Sequence, residues 1–420
     1  MRKRLFAAGL FSLLLPTYSS GDVPLGILGI AENNRIRFAL EETMYLPISE
    51  LNQRRRVYDD PETGDRIGVE ATEQNGSMYL MFIREEADGF PIDRAGNWII
   101  KRDIESGEFV QAKVFLRDSP GTFVRLFPSG AGTTADLYLE GNVIHRAVQI
   151  RLAFDRVLVE PFARVMDLTR YQIDWSLFVG IGHRQSDQMI MNVSREASDR
   201  LPFLKDSDDG ALDDDGTFRL IEDLTENLAS GFNCSGFAKW IVDGVRFPVS
   251  GTLLSIDLMK QKHLEIRGHE WSEPLEPDRD PYFGLDWTRN LATAVFESVG
   301  REVSSPESAD VRSVRFFEYA EDVGYRLDDL RTILYLLAID RPGSLYLGSV
   351  NQAYGSAPVL RQHTHVVVLL PYFDPRGMFR VDVMERNVQT SLESLGSRYP
   401  GDFVHLVEVP VSGGFFPSLP

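Results

Sequence analysis

The chain has 420 residues, 43% of them apolar, which is enough for a packed core and for two or three domains. Its 62 acidic and 44 basic side chains leave a formal net charge of -18. That balance argues against nucleic acid as a partner, because phosphate binding needs surplus Lys and Arg, and it disfavours docking on anionic membranes.

The N-terminus has the order of a secretory signal peptide. Met1-Arg2-Lys3-Arg4 is basic, Leu5 to Leu15 is an apolar run too short to span a bilayer, and Pro16 ends it. Small residues follow, and cleavage is expected between Ser19 and Asp22, with residues 1–21 removed. A retained N-terminal anchor is the alternative. No cysteine follows the apolar run, so lipid attachment is not expected there. No later segment is apolar enough to span a membrane, so an extracytoplasmic protein, periplasmic or secreted, is expected.

Residues 22–165 alternate in short runs. Residues 78–84, 98–101, 109–117, 122–127, 135–140 and 143–154 are predicted strands, with turns at Asp118-Ser119-Pro120-Gly121 and Gly130-Ala131-Gly132. Regular strands without long helical runs predict an all-β domain, a sandwich or a barrel. It carries no catalytic constellation and suits a structural or ligand-binding role.

Residues 166–219 form a connector. Asp206 to Asp215 holds six aspartates, but their spacing does not fit an EF-hand, and a solvated acidic loop is expected. Residues 220–228 are predicted to be helical.

The only cysteine lies in Gly231-Phe232-Asn233-Cys234-Ser235-Gly236-Phe237. Asn233 is a good N-cap and Gly244 a good stop for a helix. Cys234, Phe237, Trp240 and Ile241 then share one face. A thiol at a helix N-terminus feels the positive end of the dipole, which favours thiolate. An exported chain offers this cysteine no intrachain partner, so a nucleophile is the leading reading; a small core residue is the other.

A thiolate needs a base, and the base an orienting group. His365 opens the apolar run Val366-Val367-Val368-Leu369-Leu370, a predicted strand. Asp374-Pro375-Arg376-Gly377 suits a type I turn with a glycine bulge, leading to a return strand from Met378 to Glu385. This register puts Asp374 opposite Met378 and His365 opposite Asn387, the first choice as orienting group. Glu385 is the second choice, and without the bulge Arg386 would face His365. His363, two residues from His365, could be a base or a metal ligand. His269-Glu270-Trp271-Ser272-Glu273 lacks the second histidine of a metalloprotease helix, and no phosphate loop or Gly-x-Ser-x-Gly elbow occurs. No cofactor and no metal site is expected.

The Cys234 motif resembles the nucleophile motif of the NlpC family of cell-wall cysteine peptidases, in the papain-like superfamily, whose usual form is Asp-Cys-Ser-Gly before a helix. Leu327-Asp328-Asp329-Leu330 with Arg341-Pro342-Gly343-Ser344-Leu345-Tyr346-Leu347 resembles that family's Asp-Leu-x-Pro-Gly-Asp-Leu strand, and His365-Val366 its catalytic-histidine strand. Asn233 stands where the family has Asp, and the family's upstream tyrosine would fall near Glu222 and is absent. Residues 250–340 form an insertion that includes the aromatic-rich segment Arg279 to Trp287, a wall of the substrate groove or simple packing. The resemblance implies a papain-like α+β domain over residues 220–420, hence an α+β protein overall. It also implies amide hydrolysis in peptidoglycan stem peptides by Cys234, His365 and Asn387 or Glu385. Acyl transfer by the same residues, or an inactive envelope binding module, are the alternatives.

Overall fold

The computed structural model describes residues 30, 33–51, 53–61, 63–87, 89–222 and 231–417. The expected signal segment lies outside them, as does most of the helix predicted over 220–228. No helix among the described residues is long and apolar enough to cross a membrane.

Two short helices, α1 (Asn34–Ala39) and α2 (Glu41–Met44), precede one eight-stranded antiparallel sheet. Its strands are β1 (Arg56–Asp59), β2 (Arg66–Gln74), β3 (Ser77–Arg84), β4 (Trp98–Asp103), β5 (Phe109–Phe115), β6 (Phe123–Ser129), β7 (Gly132–Leu139) and β8 (Asn142–Ile150). The segments predicted from residue 78 onward each form a strand; β1 and β2 lie outside them. The expected sandwich or barrel does not form. The strands follow one another in spatial order from β1 to β8, and β1 does not pair with β8. Helices cover the inner face instead: α3 (Phe154–Val159), α4 (Phe162–Thr169) and, far along the chain, α9 (Leu330–Asp340).

The second half begins with α5 (Gln185–Ser198) and a two-stranded ribbon, β9 (Ala211–Leu212) with β10 (Phe218–Arg219). Helices α6 (Cys234–Ser250), α7 (Ile256–Met259) and α8 (Phe283–Ser298) follow. After α9 and α10 (Leu392–Arg398) are counted, the rest is a six-stranded antiparallel sheet. It comprises β11 (Tyr325–Arg326), β12 (Ser344–Tyr354), β13 (Leu360–Phe373), β14 (Phe379–Glu385), β15 (Val388–Thr390) and β16 (Phe403–Pro410), in the order β11-β16-β12-β13-β14-β15.

This is not the expected papain-like arrangement. Alternate residues of the sheet feed two cores. Leu347, Val366, Val368 and Met384 pack with α5, α6 and α8, whereas Tyr346, Val367, Leu369 and Val383 share a core with α9 and the first sheet. Helix α9 is buried at every position from Thr332 to Ala338, as an apolar helix between layers must be. Its polar atoms bind the first half: Thr332 Oγ1 donates to Leu139 O (3.0 Å), Arg331 meets Glu140 (2.7 Å) and Tyr335 Oη donates to Leu177 O (2.8 Å).

Gly244 does not stop α6. The helix runs on to Ser250 and ends at Gly251, whose φ of 67° suits a left-handed C-terminal residue. Gly244 leaves room for Phe415, whose Cδ2 would stand 2.8 Å from an added Cβ.

Candidate active site

The site forms where α6 starts against the edge of β13. Asn233 caps the helix, its side chain accepting the Gly236 N–H at 2.7 Å. The motif is seated on residues 205–210: Phe232 N donates to Lys205 O (2.9 Å), Ser207 N to Phe232 O (3.0 Å) and Asn233 N to Gly210 O (3.0 Å). From α8, the buried Trp287 donates through Nε1 to Ser235 O at 2.9 Å, fixing the first turn from the other side.

Strands β13 and β14 pair from Phe373 opposite Phe379 to Val368 opposite Met384 and no further. Val366 therefore lies on an open edge. The Cys234 sulfur meets the Val366 backbone N–H there, together with the His365 ring and the Ser235 side chain. His365 Nε2 is hydrogen-bonded to Glu385 Oε2, and the same ring interacts with the Cys234 thiol. The other carboxylate oxygen, Glu385 Oε1, accepts from Arg398 Nη2, and Tyr399 stacks on His365 with ring centroids 6.0 Å apart.

These contacts set the charges. Burial alone would raise the Cys234 pKa, but the hydrogen bond and positive charge of His365 outweigh it and bring the thiol below its ordinary range. Burial alone would lower the pKa of His365, but Cys234 and Glu385 raise it to about 9. Burial likewise opposes ionisation of Glu385, yet His365 and Arg398 hold its pKa below the usual carboxylate value. A thiol shifted down beside an imidazole shifted up favours the thiolate–imidazolium pair over the neutral one.

Asn387 does not face His365. The register expected for the hairpin is the one found, but β14 ends at Glu385 and the chain turns at Arg386, where φ is 51°. It returns as β15, with Glu385 opposite Val388. Asn387 sits in that turn and donates to Leu204 O at 3.1 Å, while Arg386 pairs with Asp206 at 2.9 Å. Glu385, the second choice, is the group that touches the base.

His363 is excluded from the site by a bulge. Val350 lies opposite His365 and Asn351 opposite His363, so Thr364 is the extra residue and the two histidines leave β13 on opposite faces. His363 is buried, with Nδ1 near Ser349 Oγ (3.0 Å) and Nε2 near Asn351 Nδ2 and Asp322 O (both 2.9 Å). Burial and the neighbouring His405 push its pKa down to about 3, so it stays neutral. Sequence reasoning missed Arg398 and Tyr399, for which the Ser391 cap that opens α10 was the one local signal, and singled out Trp287 only as part of the segment Arg279 to Trp287, without its contact to the Cys234 turn.

A cleft of about 530 Å³ opens beside Asn233, with Phe283, Asp286 and Gln362 in its lining. The segment Arg279 to Trp287, one candidate groove wall, contributes Arg279, Asp280, Phe283 and Asp286 to it.

One family, described as a domain of unknown function (DUF8515), matches residues 27–177. The matched stretch covers the first sheet and α3 and α4, and ends before every residue of the candidate site. No curated protein and no solved structure matches the chain.

Proposed function

We propose that this chain is an exported thiol hydrolase that cleaves amide bonds with Cys234, His365 and Glu385. The observation that carries the reading is a single imidazole held between a thiol at a helix N-terminus and an anchored carboxylate. Such an order of nucleophile, base and orienting group is what activates a weak nucleophile.

The thiolate attacks the amide carbon, forming the C–S bond and an oxyanion. The Cys234 N–H, in the first turn of α6, has no intrahelical acceptor and can donate to that oxygen. His365 gives its proton to the leaving nitrogen as the C–N bond breaks, leaving a thioester. Water then attacks the thioester while His365 takes its proton, and loss of the carboxylic acid restores the thiolate–imidazolium pair. Stem peptides of peptidoglycan are the substrates to try first, on the strength of the Cys234, Pro342 and His365 motifs. The test is incubation of the mature protein with murein fragments and mass spectrometry of the products. Cleavage abolished by Cys234→Ala and by His365→Ala is expected; equal products from wild type and Cys234→Ala would exclude the mechanism.

A further inference from the structure

Two residues that line the cleft beside Asn233 each carry a buried acceptor atom with no partner among the described residues. Asp286, in the first turn of α8, is only 3% exposed. Its Oδ2 accepts from Arg267 Nη2 at 2.6 Å, but Oδ1 has no partner among the described residues. Gln362, on the same strand as His365, has its Oε1 equally buried and unpaired. A buried acceptor left unpaired is costly, so two of them on residues lining one cleft call for a donor that the described residues do not supply.

The charges of the lining say which donor. Asp208, Asp209 and Glu222 add to Asp286 on the acidic side. Three cations also line the cleft, each with a neighbour of its own: Lys260 Nζ donates to Ile221 O at 2.5 Å, Lys262 Nζ pairs with Asp280 at 3.0 Å, and the Arg279 guanidinium lies 5.6 Å from the centroid of the Tyr354 ring. A carboxylate ligand would meet repulsion here, whereas a compact cation with several N–H donors would not. Resting on the thiol-nucleophile reading above, we propose that this cleft receives a primary ammonium group of the substrate, hydrogen-bonded by Asp286 Oδ1 and Gln362 Oε1 while Cys234 attacks the neighbouring amide.

The test uses chloroacetamide labels on the full mature chain, in which the thiolate displaces chloride and forms a C–S bond. One series carries an aminoethyl or aminobutyl arm. The second series has that amine acetylated, and the third has it trimethylated, which keeps the charge and removes the donors. Labelling of Cys234 is followed by mass spectrometry, with iodoacetamide as the armless reference. We expect at least one amine label to react about tenfold faster than both of its capped forms. Gln362→Met and Asp286→Asn should each bring that ratio toward one. Should Asp286→Asn not fold, because Arg267 loses a charged partner, Gln362→Met carries the test. Equal rates for amine and acetylated labels, with iodoacetamide still reacting, would overturn the ammonium site alone. Equal rates for amine and trimethylated labels would overturn it too, since hydrogen bonding would not be the basis of selection. No labelling by any reagent would overturn the nucleophile, and the ammonium site with it.

Discussion

His365 and Glu385 meet beyond the last rung of their own hairpin. Strand β14 leaves β13 after Val368 and Met384, and the gap gives Cys234 access to the Val366 N–H while Glu385 still reaches His365. Both oxygens of Glu385 are committed, one to His365 and one to Arg398. A carboxylate held at both oxygens fixes the imidazole in one tautomer and orientation.

Glu385→Gln should therefore lower kcat by about a hundredfold or more, because the amide keeps the shape but not the charge that stabilises the imidazolium. Asn387→Ala should change the rate by no more than about twofold, since its contact is with Leu204 O. Steady-state kinetics on a cleaved murein fragment measures both. A larger loss in Asn387→Ala than in Glu385→Gln would reverse the assignment.

The pH dependence follows from the two shifted groups. Cys234 has a lowered pKa, so thiolate is present below the ordinary thiol range near pH 8.5. His365 is raised to about 9, so imidazolium persists until then. Iodoacetamide labelling should thus be fast at pH 7 in wild type and should move up toward pH 8.5 in His365→Ala. Hydrolysis should fall as pH rises through about 9, where the proton for the leaving amine is lost, while labelling does not fall. A wild-type labelling curve centred on pH 8.5 would contradict the ion pair.

Much of this site was legible in local sequence. Asn233, Cys234 and the apolar face of α6 are set by capping and period, and the hairpin register by Pro375 and Gly377. The misplacement of Asn387 came from Arg386, a non-glycine residue with positive φ, which no composition rule signals. The misreading of Gly244 came from Phe415, which packs on it from far along the chain. The fold class failed for the same kind of reason. Alternating strands look alike in a sandwich and in an open sheet, and the difference is α9, which covers the first sheet from a place in the sequence about two hundred residues later.

Helix α8, which carries Trp287 and Asp286, is anchored by a buried ion cluster. Arg289 Nη2 lies 2.7 Å from both Asp310 and Asp322, and His405 Nε2 stands 3.3 Å from Asp310. Burial alone would raise the Asp310 pKa, but His405 and Arg289 take it well below the carboxylate range. A depressed carboxyl stabilises the fold above its unfolded value near pH 3.9 and loses that contribution as pH falls toward its folded value. Asp310→Ala should cost about 3–5 kcal/mol in urea unfolding, because it leaves buried cationic charge undercompensated. The acid sensitivity of the melting temperature should be smaller in the variant than in wild type. A loss under about 1 kcal/mol would show that the cluster is worth no more than surface pairs.

The last prediction concerns Gly236, two residues after the nucleophile. A Cβ there would fall well inside contact distance of Gly210 O and 2.9 Å from Ala211 Cα. Both are backbone atoms of the segment on which the motif is seated, so neither can swing aside as a side-chain tip would. Gly236→Ala must push the first turn of α6 away from residues 205–211, and the Cys234 sulfur moves with it from Val366 and His365. We expect a destabilisation of about 1–3 kcal/mol, as for other overpacked sites, and slower labelling of Cys234 at pH 7 than in wild type. Gly396→Ala is the matched control: it lies in α10 with nothing within 4 Å of an added Cβ, and a helical Gly→Ala change of that kind stabilises by about 0.5–1 kcal/mol. The comparison separates a general effect of Gly→Ala from the close approach of two backbones. If Gly236→Ala kept wild-type stability and wild-type labelling at pH 7, the seat formed by residues 205–211 would not be what holds the thiol against His365.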